Sequence, residues 1–77
     1  MEELVEYLAK GLVDEPDAVS VESFEEDDGT LVIELEVADD DVGKVIGRNG
    51  RTVNALRTVV RAGAVKQGRR VLVDVVD

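Results

Sequence analysis

The sequence predicts an α+β domain of order α-β-β-α-α-β, in which a three-stranded sheet is covered on one face by three helices. Three observations predict it. The chain opens on apolar residues at helical spacing. It continues through two alternating runs joined by an Asp-Gly pair. It closes with two helical segments separated by glycines, ahead of a last alternating run.

Leu4, Val5, Leu8 and Leu12 recur at helical spacing, and Glu2, Glu3 and Glu6 occupy the first turn, where the helix dipole favours negative charge. This first helix is expected to end near Val13, because Pro16 biases Glu15 away from helical backbone. Val19 and Val21 then alternate with Ser20 and Glu22. Leu31, Ile33, Leu35 and Val37 alternate with Val32, Glu34 and Glu36, the stronger strand signal of the two. Asp28-Gly29 between them supplies the positive φ of a hairpin turn, so the two strands should pair antiparallel, with Phe24 marking a bulge. Asp39, Asp40 and Asp41 are N-cap candidates for a short helix that carries Val42, Val45 and Ile46 and stops at Gly47. A longer helix follows Gly50, with Val53, Leu56, Val59, Val60 and Gly63 as its buried stripe and Asn54, Arg57 and Arg61 on another face. Gly68 stops it. From Arg70 to Val76 the valines 71, 73 and 75 face one way, and Leu72, Asp74 and Val76 the other.

Seventy-seven residues, 44% of them apolar, can enclose one small core, so a second domain is not expected. Without Cys or His the chain lacks the means for a disulfide, a thiolate nucleophile, a Cys/His zinc site or an imidazole base, and no cofactor or metal site is expected. Met1-Glu2-Glu3 is acidic where a signal peptide is basic, and no apolar stretch approaches the roughly 20 residues of a membrane span, which points to the cytoplasm. The net charge of −9 hides a division. Residues 1–43 hold sixteen carboxylates and only Lys10, a net of −15, whereas residues 44–77 hold eight basic residues against Asp74 and Asp77, a net of +6. With a pI of about 4.3 the overall field repels a phosphate chain, so an anion site has to be local.

The local candidate is Val45-Ile46-Gly47-Arg48-Asn49-Gly50-Arg51, a G-x-x-G joining a short helix to a long one at the head of the basic half. Glycines permit close approach of main chain to a sugar-phosphate backbone, and the following helix N-terminus turns N–H groups and a positive dipole end towards it. Arg48 and Arg51 add charge. Asn49 can donate to a phosphate oxygen or hold a left-handed conformation, so such a loop clamps a backbone without reading bases. Two glycines in an isolated turn would serve backbone geometry alone; here charge and placement agree with an anion site.

Ile46-Gly47-Arg48-Asn49-Gly50 within this element order resembles the KH domain in its type II, prokaryotic arrangement, and the resemblance covers nearly all of residues 1–77 as one KH domain. Gly43-Lys44-Val45 before the hinge and Thr52, Asn54, Ala55, Leu56 and Arg57 after it resemble the small bacterial KhpA-like family. The resemblance implies a three-stranded mixed sheet and a non-enzymatic RNA-chaperone or post-transcriptional role. It implies single-stranded RNA, about four nucleotides of it, in a groove between the hinge, its flanking helices and the sheet. It further implies homodimers, or pairing with a larger KH-containing protein of the KhpB/Jag kind. By the same resemblance Gly47, Arg48, Asn49 and Gly50 contact the RNA backbone, Lys44 and Arg51 flank it, and Val45 and Ile46 form an apolar floor. Tyr7 and Phe24 are the only aromatic residues, so aromatic stacking is not expected. The acidic excess departs from the usual RNA binder and bears on affinity rather than on mode.

Other readings stay open. Arg57 and Arg61 suit a solvated helix face as well as an RNA-facing one, and Arg69 and Arg70 suit a strand edge. Asp39-Asp40-Asp41 points in three directions and fits capping better than a cation site. Gly43, Gly47 and Gly50 fit neither the dinucleotide fingerprint nor the P-loop. The fold could also serve as a protein-interaction module, with the hinge and the following helix in a subunit interface.

Overall fold

The computed structural model describes residues 1–76. The elements are α1 (Glu2–Lys10), β1 (Ser20–Glu25), β2 (Leu31–Glu36), α2 (Val42–Ile46), α3 (Arg51–Lys66) and β3 (Val71–Val76), with single 3₁₀ turns at Pro16–Ala18, Asp39–Asp41 and Arg48–Gly50. The predicted order is borne out. β2 is the central strand, antiparallel to β1 and parallel to β3. The antiparallel pair needs only the hairpin, in which Gly29 at φ 87° lets the Glu26 N–H bond the Thr30 carbonyl at 2.8 Å. The parallel pair needs a long crossover, which α2 and α3 supply.

Side-chain alternation divides the sheet. Leu31, Ile33 and Leu35 of β2 and Val71 and Val73 of β3 pack in one core cluster with Val5 and Ala9 of α1, Val45 of α2, and Leu56, Val60 and Ala64 of α3. On the helix-free face Phe24, Val32 and Leu72 lie in register across the three strands, as do Glu22, Glu34 and Asp74.

Four expectations need correction. α1 ends at Lys10 rather than near Val13, because the Leu12 N–H bonds the Ala9 carbonyl in a turn and the following residues are drawn towards Asp41. Phe24 marks no bulge: β1 and β2 pair without interruption from Ser20↔Glu36 to Glu25↔Leu31. The buried stripe of α3 is Val53, Leu56, Val60 and Ala64, a strict 3-4-4 spacing that leaves Val59 49% exposed and Gly63 half-buried under Met1. None of the three aspartates caps α2 with its side chain; they form a 3₁₀ turn, and Asp41 is directed elsewhere.

Candidate nucleic-acid interface

Three closely spaced backbone choices build the hinge. Gly47 ends α2 at φ 76°, ψ 173°, a conformation open essentially to glycine alone, while its N–H still bonds the Gly43 carbonyl at 2.9 Å. Asn49 follows at φ 56°, ψ 28°, the left-handed state that asparagine tolerates best among non-glycine residues. Gly50 at φ 76°, ψ 13° then sets the N-cap of α3, and having no side chain it leaves the first-turn N–H groups uncapped by any side chain. Thr52 closes the turn from behind. A Cβ on Gly47 would lie 2.2 Å from its Oγ1, so the hinge backbone and the first turn of α3 are in direct contact.

The predicted residues divide by position. Arg48, Asn49 and Arg51 are exposed, and their side chains make no hydrogen bond or ion pair among the described residues. Gly47 and Gly50 lie partly exposed between them, and Ile46 is 37% exposed beside them. Val45 is wholly buried and supports the hinge from beneath. Lys44 is engaged: its Nζ pairs with Asp14 and lies 3.7 Å from Asp41 Oδ1, and the Asp14 carboxylate raises its pKa.

Asp41 is the anchor of that arrangement. The residue is 1% exposed, and its carboxylate accepts the N–H groups of Asp14 and Glu15, each at 3.1 Å, tying the loop after α1 to the start of α2. The Asp14 N–H above all, against the opposing effect of burial, holds the Asp41 carboxyl below the usual carboxylate range, helped by the Glu15 N–H and Lys44. A folded-state pKa below the unfolded one stabilises the fold at neutral pH, and that contribution fades as pH falls below about 4 and through the folded value. Asp41→Asn replaces two charged acceptor oxygens with one neutral acceptor and a donor, and is expected to lower Tm at pH 7 by roughly 5–10 °C. The gap from wild type should narrow as calorimetric scans are moved from pH 6 to pH 3.

Beyond the hinge a groove of about 300 Å³ runs between α3 and the free edge of β3, lined by Asn54, Arg57, Thr58, Arg61, Leu72, Val73 and Asp74. It continues directly from the hinge, since Asn54 Nδ2 lies 3.6 Å from where a Cβ on Gly50 would stand. Arg57 crosses it: its Nε donates to the Val73 carbonyl at 3.0 Å and its Nη1 to Asn54 Oδ1 at 3.3 Å. The helical spacing of Asn54, Arg57 and Arg61 was legible in the sequence. Thr58, Leu72, Val73 and Asp74 were not, because nothing local says that β3 is an edge strand lying alongside α3. Arg69 and Arg70 pair with Glu25 and Asp28 at the hairpin, the strand-end role open to them from the start.

A sequence profile of the family described as KhpA/KhpB, KH domain matches residues 2–75. The chain belongs to this KH-domain family. It is 58% identical to the RNA-binding protein KhpA of Halalkalibacterium halodurans over the full length of both chains. It is 57% identical to KhpA of Streptomyces coelicolor over all of this chain and 92% of that one, and 49% identical to KhpA of Caldanaerobacter subterraneus over 99% and 100%. The KH fold is shared with a solved structure of Era in complex with MgGDPNP and nucleotides 1506–1542 of 16S ribosomal RNA, at a TM-score of 0.62 and 24% identity, over 96% of this chain and 28% of that one. A single-residue variant of Aquifex aeolicus Era bound to GDP·AlF4⁻ gives a TM-score of 0.60 at 22% identity, over 96% of this chain and 28% of that one. Among the described residues no helix is long and apolar enough to cross a membrane.

Proposed function

We propose that this KH domain, extending over residues 1–77, binds single-stranded RNA about four nucleotides long, with the Gly47–Gly50 hinge on the sugar-phosphate backbone and the α3/β3 groove on the bases. Arg48 and Arg51 bear on the phosphates, and Ile46 lends apolar surface beside them. The observation that carries the reading is the hinge itself, where partly exposed glycine backbone, a helix start with no side-chain cap and two exposed arginines without partners among the described residues follow one another in the chain. The names of full-length relatives as RNA-binding proteins support it. The role is that of a cytoplasmic RNA chaperone or post-transcriptional regulator rather than an enzyme, acting as a homodimer or with a larger KhpB/Jag-like partner.

Labelled single-stranded octaribonucleotides are expected to bind saturably at low salt. If about three phosphates are contacted, log affinity should fall against log salt with a slope near −2, a loss of roughly fifteen- to twentyfold between 50 and 200 mM. A salt-independent response, or none at low salt, contradicts the proposal. Tyr7 and Val59, 76% and 49% exposed on α1 and α3, favour a second reading in which these helices contribute a subunit interface.

A further inference from the structure

The sheet face that the helices leave open is amphipathic, and we propose that it docks an extended basic segment of a partner protein, anchored by an apolar side chain beside its cations. This goes beyond the RNA-binding reading and uses the side of the sheet turned away from the helices. The strand register sets three rows across the face. Phe24, Val32 and Leu72 make an apolar row, and Glu22, Glu34 and Asp74 an acidic one next to it. The outermost row is mixed, with Ser20, Glu36 and Val76.

The apolar row departs from the polar surface that a solvated sheet face presents. Phe24, the one phenylalanine of the chain, is 50% exposed and Leu72 43%, on either side of a buried Val32. The charge beside this row has a single sign. Glu22 and Asp74 stand directly across from Glu34, an arrangement of like charges that costs a sheet stability. The first cation beyond the apolar row along β3 is Arg70, and Asp28 Oδ2 offsets it at 3.7 Å. Glu22, Glu34 and Glu36 with Ser20 and Val76 line a depression of about 180 Å³, which gives a guanidinium or ammonium head three carboxylates to bond.

The same facts decide the occupant. A polyanion, whether RNA or a lipid headgroup surface, would meet four carboxylates and no cation in these three rows. A second folded copy needs about 800 Å² per partner for a stable interface, whereas three six-residue strands give this face roughly 300 Å². An extended segment fits both the area and the spacing. Its side chains on one side recur every two residues, the interval between the rows, so apolar-x-basic-x-basic lays an apolar group against Phe24 and Leu72 and cations over the two rows that follow.

The probe is the capped peptide Leu-Ser-Arg-Ser-Arg-Ser, titrated into ¹⁵N-labelled protein at low salt. Saturable shifts are expected at the amides of Glu22, Phe24, Glu34 and Leu72, with those of the hinge silent. Phe24→Ser and Glu34→Gln should each weaken the probe by about threefold or more. Tyr7→Ser and Glu3→Gln remove an exposed aromatic ring and an equal charge from α1, and should leave affinity unchanged. Circular dichroism checks each fold, and should Phe24→Ser unfold, a probe with serine in place of its leucine tests the same anchor and is expected to bind as weakly. Equal losses in Glu34→Gln and Glu3→Gln would reduce the effect to net charge and overturn the proposal, as would undiminished binding of the leucine-free probe or shifts centred on the hinge. Shifts of the face amides with protein concentration alone would give the face to a second copy and overturn it too. None of these outcomes touches the RNA-binding reading, which is tested separately.

Discussion

Gly47→Ala is expected to destabilise the fold by about 3 kcal/mol and to abolish RNA binding, as the sum of a strained φ/ψ and an overlap that the hinge cannot relieve locally. The added Cβ would stand 2.2 Å from Thr52 Oγ1, 2.7 Å from Thr52 Cβ and 2.9 Å from Thr52 N. Rotating the threonine could clear the hydroxyl, but the backbone nitrogen moves only if α3 moves. For a domain of this size the loss corresponds to a fall in Tm of roughly 12–24 °C. The neighbouring glycines supply the controls. Gly50 shares a φ of 76° but has only Asn54 Nδ2 within 4 Å, at 3.6 Å, so alanine there should cost about 1 kcal/mol for the left-handed backbone alone. Gly43 lies inside α2 with open space around its Cβ position, and Gly43→Ala should be neutral or stabilising by up to about 1 kcal/mol. The order of effect, Gly47 far above Gly50 and Gly50 above Gly43, is read from three thermal melts.

Arg48→Asp combined with Asn49→Asp is expected to lower affinity for short single-stranded RNA by roughly a hundredfold or more while leaving the fold intact. Both side chains are exposed and without a partner among the described residues, and aspartate accepts the left-handed conformation that Asn49 holds. The exchange removes one positive charge and adds two negative ones at the point where phosphate approaches, so repulsion replaces attraction. Circular dichroism and Tm should match wild type to within a few degrees. Unchanged affinity in a folded double variant would exclude the hinge as the site.

These two variants also mark what a sequence can disclose. The hinge was legible because its conformation is local: Gly47, Asn49 and Gly50 each announce a backbone state that their neighbours do not override. The strands were legible through alternation, and β2 most clearly, since a central strand buries one face fully and part of the other. Where the reading failed, a distant partner decided. Leu12 continues the helical spacing of α1, yet Asp41, 27 residues beyond Asp14, takes the Asp14 N–H and draws the chain away. Val59 is apolar at a plausible interval, but the sheet lies against the Val53, Leu56, Val60 and Ala64 stripe. Lys44 stands in the motif with the charge an RNA contact would want, and its pairing with Asp14 across 30 residues is invisible without coordinates. The groove wall is the largest omission, because Leu72, Val73 and Asp74 acquire their place only from the parallel pairing of β3 with β2.

The acidic half acquires a physical role in this arrangement. Glu25 and Asp28 at the hairpin pair with Arg69 and Arg70, Glu22 and Glu34 lie on the helix-free face of the sheet, and Asp14 and Asp41 offset the charge of Lys44, which would otherwise add to the proposed RNA site. The expected consequence is local rather than general binding, since long-range repulsion disfavours contacts that do not engage Arg48 and Arg51.

The most direct measurement is a titration of ¹⁵N-labelled protein with a single-stranded tetraribonucleotide, followed amide by amide. The amides of Gly47, Arg48, Asn49, Gly50 and Arg51 should shift first and furthest, with Asn54 and Val73 following along the groove and the β1 amides of Val21 and Ser23 unmoved. Shifts concentrated on β1 or the helix-free face, with the hinge amides silent at saturation, would contradict the account.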